Sequence, residues 1–255
     1  GERCLVLALS QGDIRLLGAD RFGVRPVKLR AVPTSLEEAL QFDDPEKQLQ
    51  SRQSGVVGGG RQAASFHGHG AGLDEKDRIT RYLRKVDHGL HEILRHERSP
   101  MVLAGVDYLL PIYRSVSTYQ PLMEHAIEGN PEQISDRDLA ERARKITDPW
   151  FAAQREEAAA EYAGVAGTER ASDRLSEVVL ASLAGRVATL FVPIGVKRWG
   201  RAEDGEVVEH DQPEPGDIDL LDEAALATWK TDGRVYAVQP EHMPTSTDVA
   251  AIFRY

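Results

Sequence analysis

The sequence predicts an α/β fold in which mixed β-sheets and helices pack into two successive units. The chain has 255 residues, of which 41% are hydrophobic, and this is enough apolar surface to fill two ordinary cores. Short apolar runs of strand length alternate with segments whose apolar residues recur at helical spacing. No run of 18 apolar residues occurs, so the pattern indicates core helices rather than membrane spans.

The first unit begins with a predicted β-hairpin, since two apolar runs are separated by Ser10-Gln11-Gly12. Ser35 precedes a short helical pattern and is a suitable N-cap, with acidic residues in the first turn. The alternation of strand and helix patterns in this unit predicts a mixed sheet with helices packed on it. The predicted strands of this unit are 4–9, 13–17, 24–32 and 101–105, and the predicted helices are 35–41, 74–96 and 106–115.

The second unit is predicted to begin near Tyr119 and to form an αβα sandwich. Residues 187–192 have the β-branched pattern of a buried strand, and the helical pattern at 219–231 has acids that suit its N-terminus. An acidic, turn-rich stretch at 203–216 separates two of these elements. The predicted helices are 136–163, 168–184 and 219–231, and the predicted strands are 187–192, 234–238 and 250–255.

The charge of the chain restricts how it can meet nucleic acid. Its formal net charge is −10, which argues against nonspecific coating of RNA or DNA because the summed field repels phosphate. Residues 51–100 are the exception, with nine Lys or Arg against six Asp or Glu. Any RNA contact is therefore expected to be local and to centre on this window.

Cysteine usage and the start of the chain predict the compartment. The single cysteine, Cys4, excludes an internal disulfide framework and fits a reducing cytoplasm. It stands in an apolar strand pattern, which favours a buried, inert thiol over a nucleophile. The first residues lack a signal pattern, so we expect a cytoplasmic protein without a membrane partner.

The most informative segment is a glycine-rich loop at 55–72. Glycine lowers the stability of a loop unless the backbone needs a positive φ or a close approach to another molecule. The loop also carries Arg61, Gln62, His67 and His69, and it lies within some thirty residues that show no period. The helix that follows presents Arg78, Arg81, Lys85 and His88 as a basic stripe that can follow a phosphate backbone, although a merely solvated face is the other interpretation.

Other chemistries are weakly supported. His67 and His69, with His88 and His91, give half of a metal site, but no cysteine or carboxylate cluster completes it, so we expect no metal and no cofactor. The serines near this loop and in the first turn lack a nucleophile-elbow context. The acids of 203–222 indicate a solvated loop rather than a cation site. The three tryptophans, Trp150, Trp199 and Trp229, are predicted to be packing residues.

Seven segments, in order, resemble a known family: the bacterial proteins related to archaeal and eukaryotic class I release factors and to the ribosome-rescue factor Pelota. The segments are 7–11 with 15–17, 66–70, 102–109 with 111–113, 127–131, 185–191, 220–222 and 251–255.

The resemblance implies a domain arrangement and a set of partners. Residues 1–118 correspond to a release-factor middle domain with an RNase H-like sheet, and residues 119–255 correspond to the C-terminal αβα domain, similar to a ribosomal-protein fold. Family members extend further at the N-terminus, so an N-terminal domain is expected to be missing here. The implied partners are the ribosome, with its rRNA or tRNA, and a translational GTPase. A hinge is expected at 117–121.

In release factors a Gly-Gly-Gln loop helps water to attack the peptidyl-tRNA ester. Here Arg61 stands between Gly60 and Gln62, which moves the glutamine by about 3.5 Å along an extended chain. The resemblance makes three residues catalytic candidates and assigns RNA contact to the loop glycines and the basic stripe. The catalytic candidates are Gln62, His67 and His69, and the RNA-binding candidates are Gly58, Gly59, Gly60, Arg61, Gly68, Gly70, Arg78, Arg81 and Lys85.

Two function classes follow from these residues. The first is a translation release or ribosome-rescue factor that hydrolyses peptidyl-tRNA or helps to clear a stalled ribosome. The second is a noncatalytic RNA- or protein-binding module that kept the fold without the hydrolytic glutamine. The position of Gln62 relative to the glycines discriminates between them, because catalysis is sensitive to shifts of about 1 Å.

Overall fold

The computed structural model describes residues 2–30, 32–41, 70–203 and 205–255. These residues divide into two compact units, 2–149 and 150–255. The division lies some thirty residues after the boundary expected at 118/119, because the intervening chain packs on the first sheet. Leu122 forms a parallel bridge with Met101, and the Tyr119 hydroxyl donates a 2.7 Å hydrogen bond to the Ser99 carbonyl.

The first unit is built on a five-stranded mixed sheet with helices on both faces. Its elements in chain order are β1 (Cys4–Leu9), β2 (Ile14–Asp20), β3 (Gly23–Val27), α1 (Leu36–Gln41), α2 (Gly70–Ile93), β4 (Met101–Gly105), α3 (Leu109–Val116), β5 (Ile127–Glu128) and α4 (Asp136–Val165).

The strand order of this sheet is β3-β2-β1-β4-β5. β1 pairs antiparallel with β2 and parallel with β4, and β4 pairs parallel with β5. Leu7 lies opposite Leu16 on one side and opposite Leu103 on the other. The α/β fold and the mixed sheet expected from the sequence are confirmed.

Two hydrophobic cores lie on the two faces of this sheet, because successive side chains of a strand point to opposite faces. On one face, leucines of β1 pack with Leu83 and Leu90 of α2 and with Tyr113 of α3. On the other face, Val6 and its neighbours pack against Leu139 in the first turns of α4.

The second unit contains two smaller sheets. Its further elements are β6 (Ala171–Ser172), α5 (Leu175–Leu183), β7 (Val187–Pro193), β8 (Trp199–Glu203), β9 (Glu206–His210), β10 (Ile218–Asp219), α6 (Leu220–Lys230), β11 (Arg234–Val238) and β12 (Ala250–Phe253).

The larger of these sheets has the order β11-β7-β12-β6 and is the centre of an αβα sandwich. Leu190 of β7 faces the core that α5 and α6 cover. Phe191, the next residue, faces the end of α4, where it packs with Tyr162 and stacks on Tyr236 with ring centroids 5.2 Å apart. The remaining sheet, β10-β8-β9, is antiparallel.

Several predicted elements differ from the observed ones at short or polar strands. The helix expected at 168–184 begins only at Leu175, because residues 171–172 pair with β12. The stretch expected to be turn-rich at 203–216 contains β9, which pairs with β8. The strand expected at 24–32 ends at Val27. Ser35 is confirmed as a helix cap, since its Oγ accepts the Glu38 N–H at 3.1 Å.

Candidate nucleic-acid interface

The glycine-rich loop is the part of the predicted site that the described residues do not reach. Its catalytic and RNA-binding roles therefore stay predictions. The site residues outside the described part of the chain are Gly58, Gly59, Gly60, Arg61, Gln62, His67, Gly68 and His69. Gly70 is the first residue of α2, so the helix includes the last three residues of the predicted loop.

Helix α2 has one buried face and one cationic face. Ile79, Leu83, Val86 and Leu90 are buried in the core, as their helical spacing predicts. The opposite face carries an exposed row of basic side chains. In the structure the basic stripe consists of Arg78, Arg81, Arg84 and His88, which differs from the predicted stripe in one residue.

The members of the basic stripe differ in how freely they can reach phosphate. Arg78 and Arg84 form no ion pair with any residue in the described ranges, and the Arg81 Nε donates a 3.4 Å hydrogen bond only to the Asp77 carbonyl of its own helix. Arg84 was not predicted to belong to the stripe, whereas Lys85 was. At 100° per residue, Arg84 and Lys85 lie at about the same angle from the buried face, on opposite sides of it, so helical periodicity does not distinguish them.

Lys85 has a structural contact. Its side chain is half-buried, and Nζ donates a 3.1 Å hydrogen bond to the carbonyl of Ala39 in α1. The ammonium group thus satisfies a carbonyl in the last turn of a short helix, where positive charge is favourable. Lys85 holds α1 against α2, whereas Arg78, Arg81 and Arg84 are exposed.

Buried Asp87 fixes α2 to the rest of the unit. Its carboxylate accepts hydrogen bonds from the Tyr113 hydroxyl at 3.2 Å, from the Thr118 N–H at 3.1 Å and from the Thr118 hydroxyl at 2.8 Å. Burial, together with the charge of Asp87, raises the pKa of Tyr113. The segment expected to be a hinge at 117–121 is therefore tied to α2 at Thr118.

The two described segments on either side of residues 42–69 lie near the carboxyl end of β1. The N–H of Leu36, at the start of α1, donates a 2.8 Å hydrogen bond to the carbonyl of Gln11, just after β1. Tyr82 of α2 is buried, and desolvation, with the charges of Asp13 and Glu38, raises its pKa. The start of α1 and the part of α2 around Tyr82 thus lie near the carboxyl end of β1.

Ser10 and Arg15 organise the same edge. The Ser10 Oγ accepts the N–H groups of Gly12 at 3.1 Å and Asp13 at 2.7 Å, and it donates to Glu132. The Arg15 guanidinium forms an ion pair with Asp136 and donates a 2.6 Å hydrogen bond to the Pro131 carbonyl. Ser10 holds a turn, and no described histidine bonds to it as a general base would.

The alternative sites lack the required geometry in the described part of the chain. His88 and His91 are exposed on α2, and the described residues contain no group of three or more His, Cys, Asp or Glu that could hold a metal ion. Cys4 is buried, and desolvation raises the pKa of its thiol. A thiol in that state is a poor nucleophile.

The acidic stretch 203–222 contains a carboxylate that two basic side chains already hold. Asp217 bonds to the His210 Nδ1 at 2.8 Å and to the Arg201 Nε at 3.1 Å, so this carboxylate is already paired. The prediction that the three tryptophans are packing residues is wrong for Trp229, whose surface is 70% exposed at the end of α6. Among the described helices, none is long and apolar enough to cross a membrane.

Comparison with known proteins gives a family and a fold. The model of bacterial archaeo-eukaryotic release factor family 7 matches residues 4–149. No curated protein sequence matches the chain. Archaeal Pelota, in a structure described as ribosome-bound with ABCE1, is 12% identical, with a TM-score of 0.51 over 100% of this chain and 62% of that chain. The chain therefore spans less than two thirds of that Pelota.

Two further solved structures match with lower TM-scores. The C-terminal domain of a peptide chain release factor from Methanosarcina mazei is 15% identical, with a TM-score of 0.35 over 46% of this chain and 91% of that chain. Dom34 of S. cerevisiae is 11% identical, with a TM-score of 0.34 over 100% of this chain and 64% of that chain. At these identities, the likeness to Pelota establishes the fold.

Proposed function

Because the chain belongs to bacterial archaeo-eukaryotic release factor family 7, we propose that it is a release-factor-like translation factor that acts on the ribosome. The observation that carries this proposal is the family match over residues 4–149, which covers nearly all of the first unit. The Pelota-like fold over the whole chain supports it. The archaeal Pelota of that comparison is described as ribosome-bound, and we extend the ribosome to this chain as a proposed partner.

We assign the RNA contact to the basic stripe and to the glycine-rich loop before it. Arg78, Arg81 and Arg84 are exposed, so their guanidinium groups are available to phosphate oxygens. The Asp87 hydrogen bonds hold the helix at one position, and a rigid helix can fix the register of phosphate contacts. The rRNA or tRNA that lines a ribosomal site is the proposed ligand.

Peptidyl-tRNA hydrolysis is the proposed chemistry at the loop. Gln62 or His67 would orient a water molecule toward the ester carbonyl, and glycine N–H groups would stabilise the negative charge that develops on its oxygen. The inserted Arg61 favours the second candidate, a noncatalytic binding module, because it changes the spacing between the glycines and Gln62. A translational GTPase is a further proposed partner and rests on the family alone.

Cosedimentation with ribosomes over a series of salt concentrations tests the proposal. We expect the Arg78→Gln/Arg81→Gln double variant to bind more weakly, with the salt dependence flattened by about one counterion per lost contact. The matched control is Arg137→Gln/Arg142→Gln, which removes the same charge from exposed positions of α4. Equal loss in both variants, or no ribosome association of the wild type, would show the proposal to be wrong.

A peptide-release assay then separates binding from chemistry. If the protein is a hydrolase, Gln62→Ala should keep ribosome binding and lower release by roughly a hundredfold. His67→Ala tests the other catalytic candidate under the same conditions. Full release by both variants, or binding without any release by the wild type, would favour the noncatalytic module.

A further inference from the structure

The turn between β2 and β3 and the strand that follows it are strongly basic. Residues 21–30 contain Arg21, Arg25, Lys28 and Arg30 and no acidic residue, in a chain whose net charge is −10. We call Arg21–Arg30 the basic hairpin. A charge of +4 within ten residues of an acidic protein is a local cationic surface, and such surfaces attract polyanions.

The cations of the basic hairpin are available for a partner. All four are exposed, and none forms an ion pair with the residues that the structure describes. Phe22 stands at the tip with 79% of its surface exposed, and the Arg21 guanidinium lies 4.6 Å from its ring centroid. An exposed aromatic ring among unpaired cations combines a stacking face with phosphate-binding groups.

The basic hairpin is held in a defined shape. The Asp20 carboxylate accepts the N–H groups of Phe22 at 2.8 Å and Gly23 at 3.1 Å, which closes the turn. Gly23 has φ +147°, a conformation that favours glycine. Val27 and Leu29 pack against the core that α2 covers. Since side chains alternate along an extended chain, Lys28 is directed away from that core, whereas Arg25 shares the face of Val27.

The edge of the sheet is closed to another strand. β3 is the outermost strand, and Pro26 lies opposite Leu17 of β2. Proline has no N–H and is tolerated in an edge strand, where it blocks pairing of a further chain. Recognition at this edge therefore depends on side chains, not on backbone addition of a peptide.

We propose that the basic hairpin is a second RNA-binding surface, which holds single-stranded RNA with phosphates on Arg25, Lys28 and Arg30 and a base stacked on Phe22. RNA fits better than an anionic membrane, because the tip offers one large apolar side chain where an interfacial anchor uses an extended apolar face. The tip of the hairpin adjoins the start of β1, whereas α1 begins at the other end of that strand.

Binding of a labelled 20-nucleotide oligo(U) RNA, measured by fluorescence anisotropy over a salt series, tests this proposal without ribosomes. It therefore does not depend on the proposed translational function. Arg25→Gln/Lys28→Gln should weaken binding and lower the slope of log K against log salt by about 1.4, from about 0.7 per lost phosphate contact. Phe22→Ala should weaken binding by about tenfold. Phe22→Trp keeps an aromatic ring for stacking and should bind as tightly as the wild type.

A control variant removes two cations outside the basic hairpin, and a further variant separates stacking from apolar contact at Phe22. Arg170→Gln/Lys230→Gln removes two exposed cations from the second unit and should leave oligo(U) affinity unchanged. Phe22→Leu keeps an apolar side chain and loses stacking, so it should resemble Phe22→Ala. Oligo(U) binding that none of the hairpin variants alters would overturn the proposal, as would hairpin-dependent binding to vesicles containing phosphatidylserine without binding to oligo(U).

Discussion

At the scale of single residues, Asp87 connects three parts of the first unit. It lies on α2, and it accepts hydrogen bonds from Tyr113 of α3 and from both the backbone and the hydroxyl of Thr118. Asp87 and Tyr113 are both buried, so no water replaces the carboxylate as acceptor for the Tyr113 hydroxyl. A buried donor left without a partner costs about 1–3 kcal/mol.

We predict that Asp87→Ala lowers the free energy of unfolding by about 1–3 kcal/mol, because it removes the acceptor of the buried Tyr113 hydroxyl. Urea unfolding followed by circular dichroism measures the loss. Asp77→Ala, an exposed acid on the same helix, is the control and should change stability by less than about 0.5 kcal/mol. Equal effects of the two substitutions would contradict the structural role of Asp87.

The comparison of Lys85 with Arg78 shows how much of the candidate site the sequence could predict. Helical periodicity places Arg78 and Arg81 on the polar face, and both are exposed. The same periodicity could not show that Lys85 donates to the Ala39 carbonyl, because that contact depends on where α1 packs. The glycine-rich loop has no period, and its roles stay predictions.

At the scale of elements, long periodic segments were predicted and short polar strands were missed. Helix α2 begins four residues before the predicted start, and β1 and β4 match their predicted bounds. β9 was missed because Glu206 and Glu209 make its sequence resemble an acidic loop. β5 and β6 have two residues each, too few to show the alternation of apolar and polar side chains that predicts a strand. Their pairing comes from tertiary contacts.

The loop after β9 gives a prediction of pH dependence. Desolvation raises the pKa of Asp217, but hydrogen bonds from the Glu214 N–H and from His210, with the charge of Arg201, outweigh it and hold the pKa below its ordinary value. A carboxyl group whose pKa is depressed by folding stabilises the folded state above the unfolded-state pKa. That contribution is lost as pH falls through the folded-state value.

We therefore predict that Asp217→Asn unfolds at lower urea than the wild type at pH 7, and that the difference shrinks as pH falls below about 4. Tryptophan fluorescence measures the midpoint, since Trp199 lies in β8 beside this loop. Asp211→Asn, an exposed acid just after β9, is the matched control. A difference between Asp217→Asn and the wild type that is constant from pH 7 to pH 3 would contradict the depressed pKa.

At the scale of the whole molecule, each unit has cores of its own. The cores that contain Leu83 and Leu139 lie within residues 2–149, and those that contain Leu190 and Phe191 lie within residues 150–255. The division falls inside α4, between Pro149 and Trp150. The sequence predicted two units, but their boundary follows from pairing that the sequence does not display, such as that of β5 with β4.

Separate cores predict separate unfolding transitions, and the tryptophans make this measurable. All three tryptophans, Trp150, Trp199 and Trp229, belong to the second unit, so fluorescence reports that unit while circular dichroism reports both. Leu83 and Leu190 are both fully buried, and truncation of a buried leucine to alanine costs about 2–5 kcal/mol. We predict that Leu83→Ala moves a circular dichroism transition to lower guanidinium and leaves the fluorescence midpoint unchanged. Leu190→Ala should move the fluorescence midpoint. If Leu83→Ala shifts both signals equally, the two units unfold as one cooperative body and the prediction is wrong.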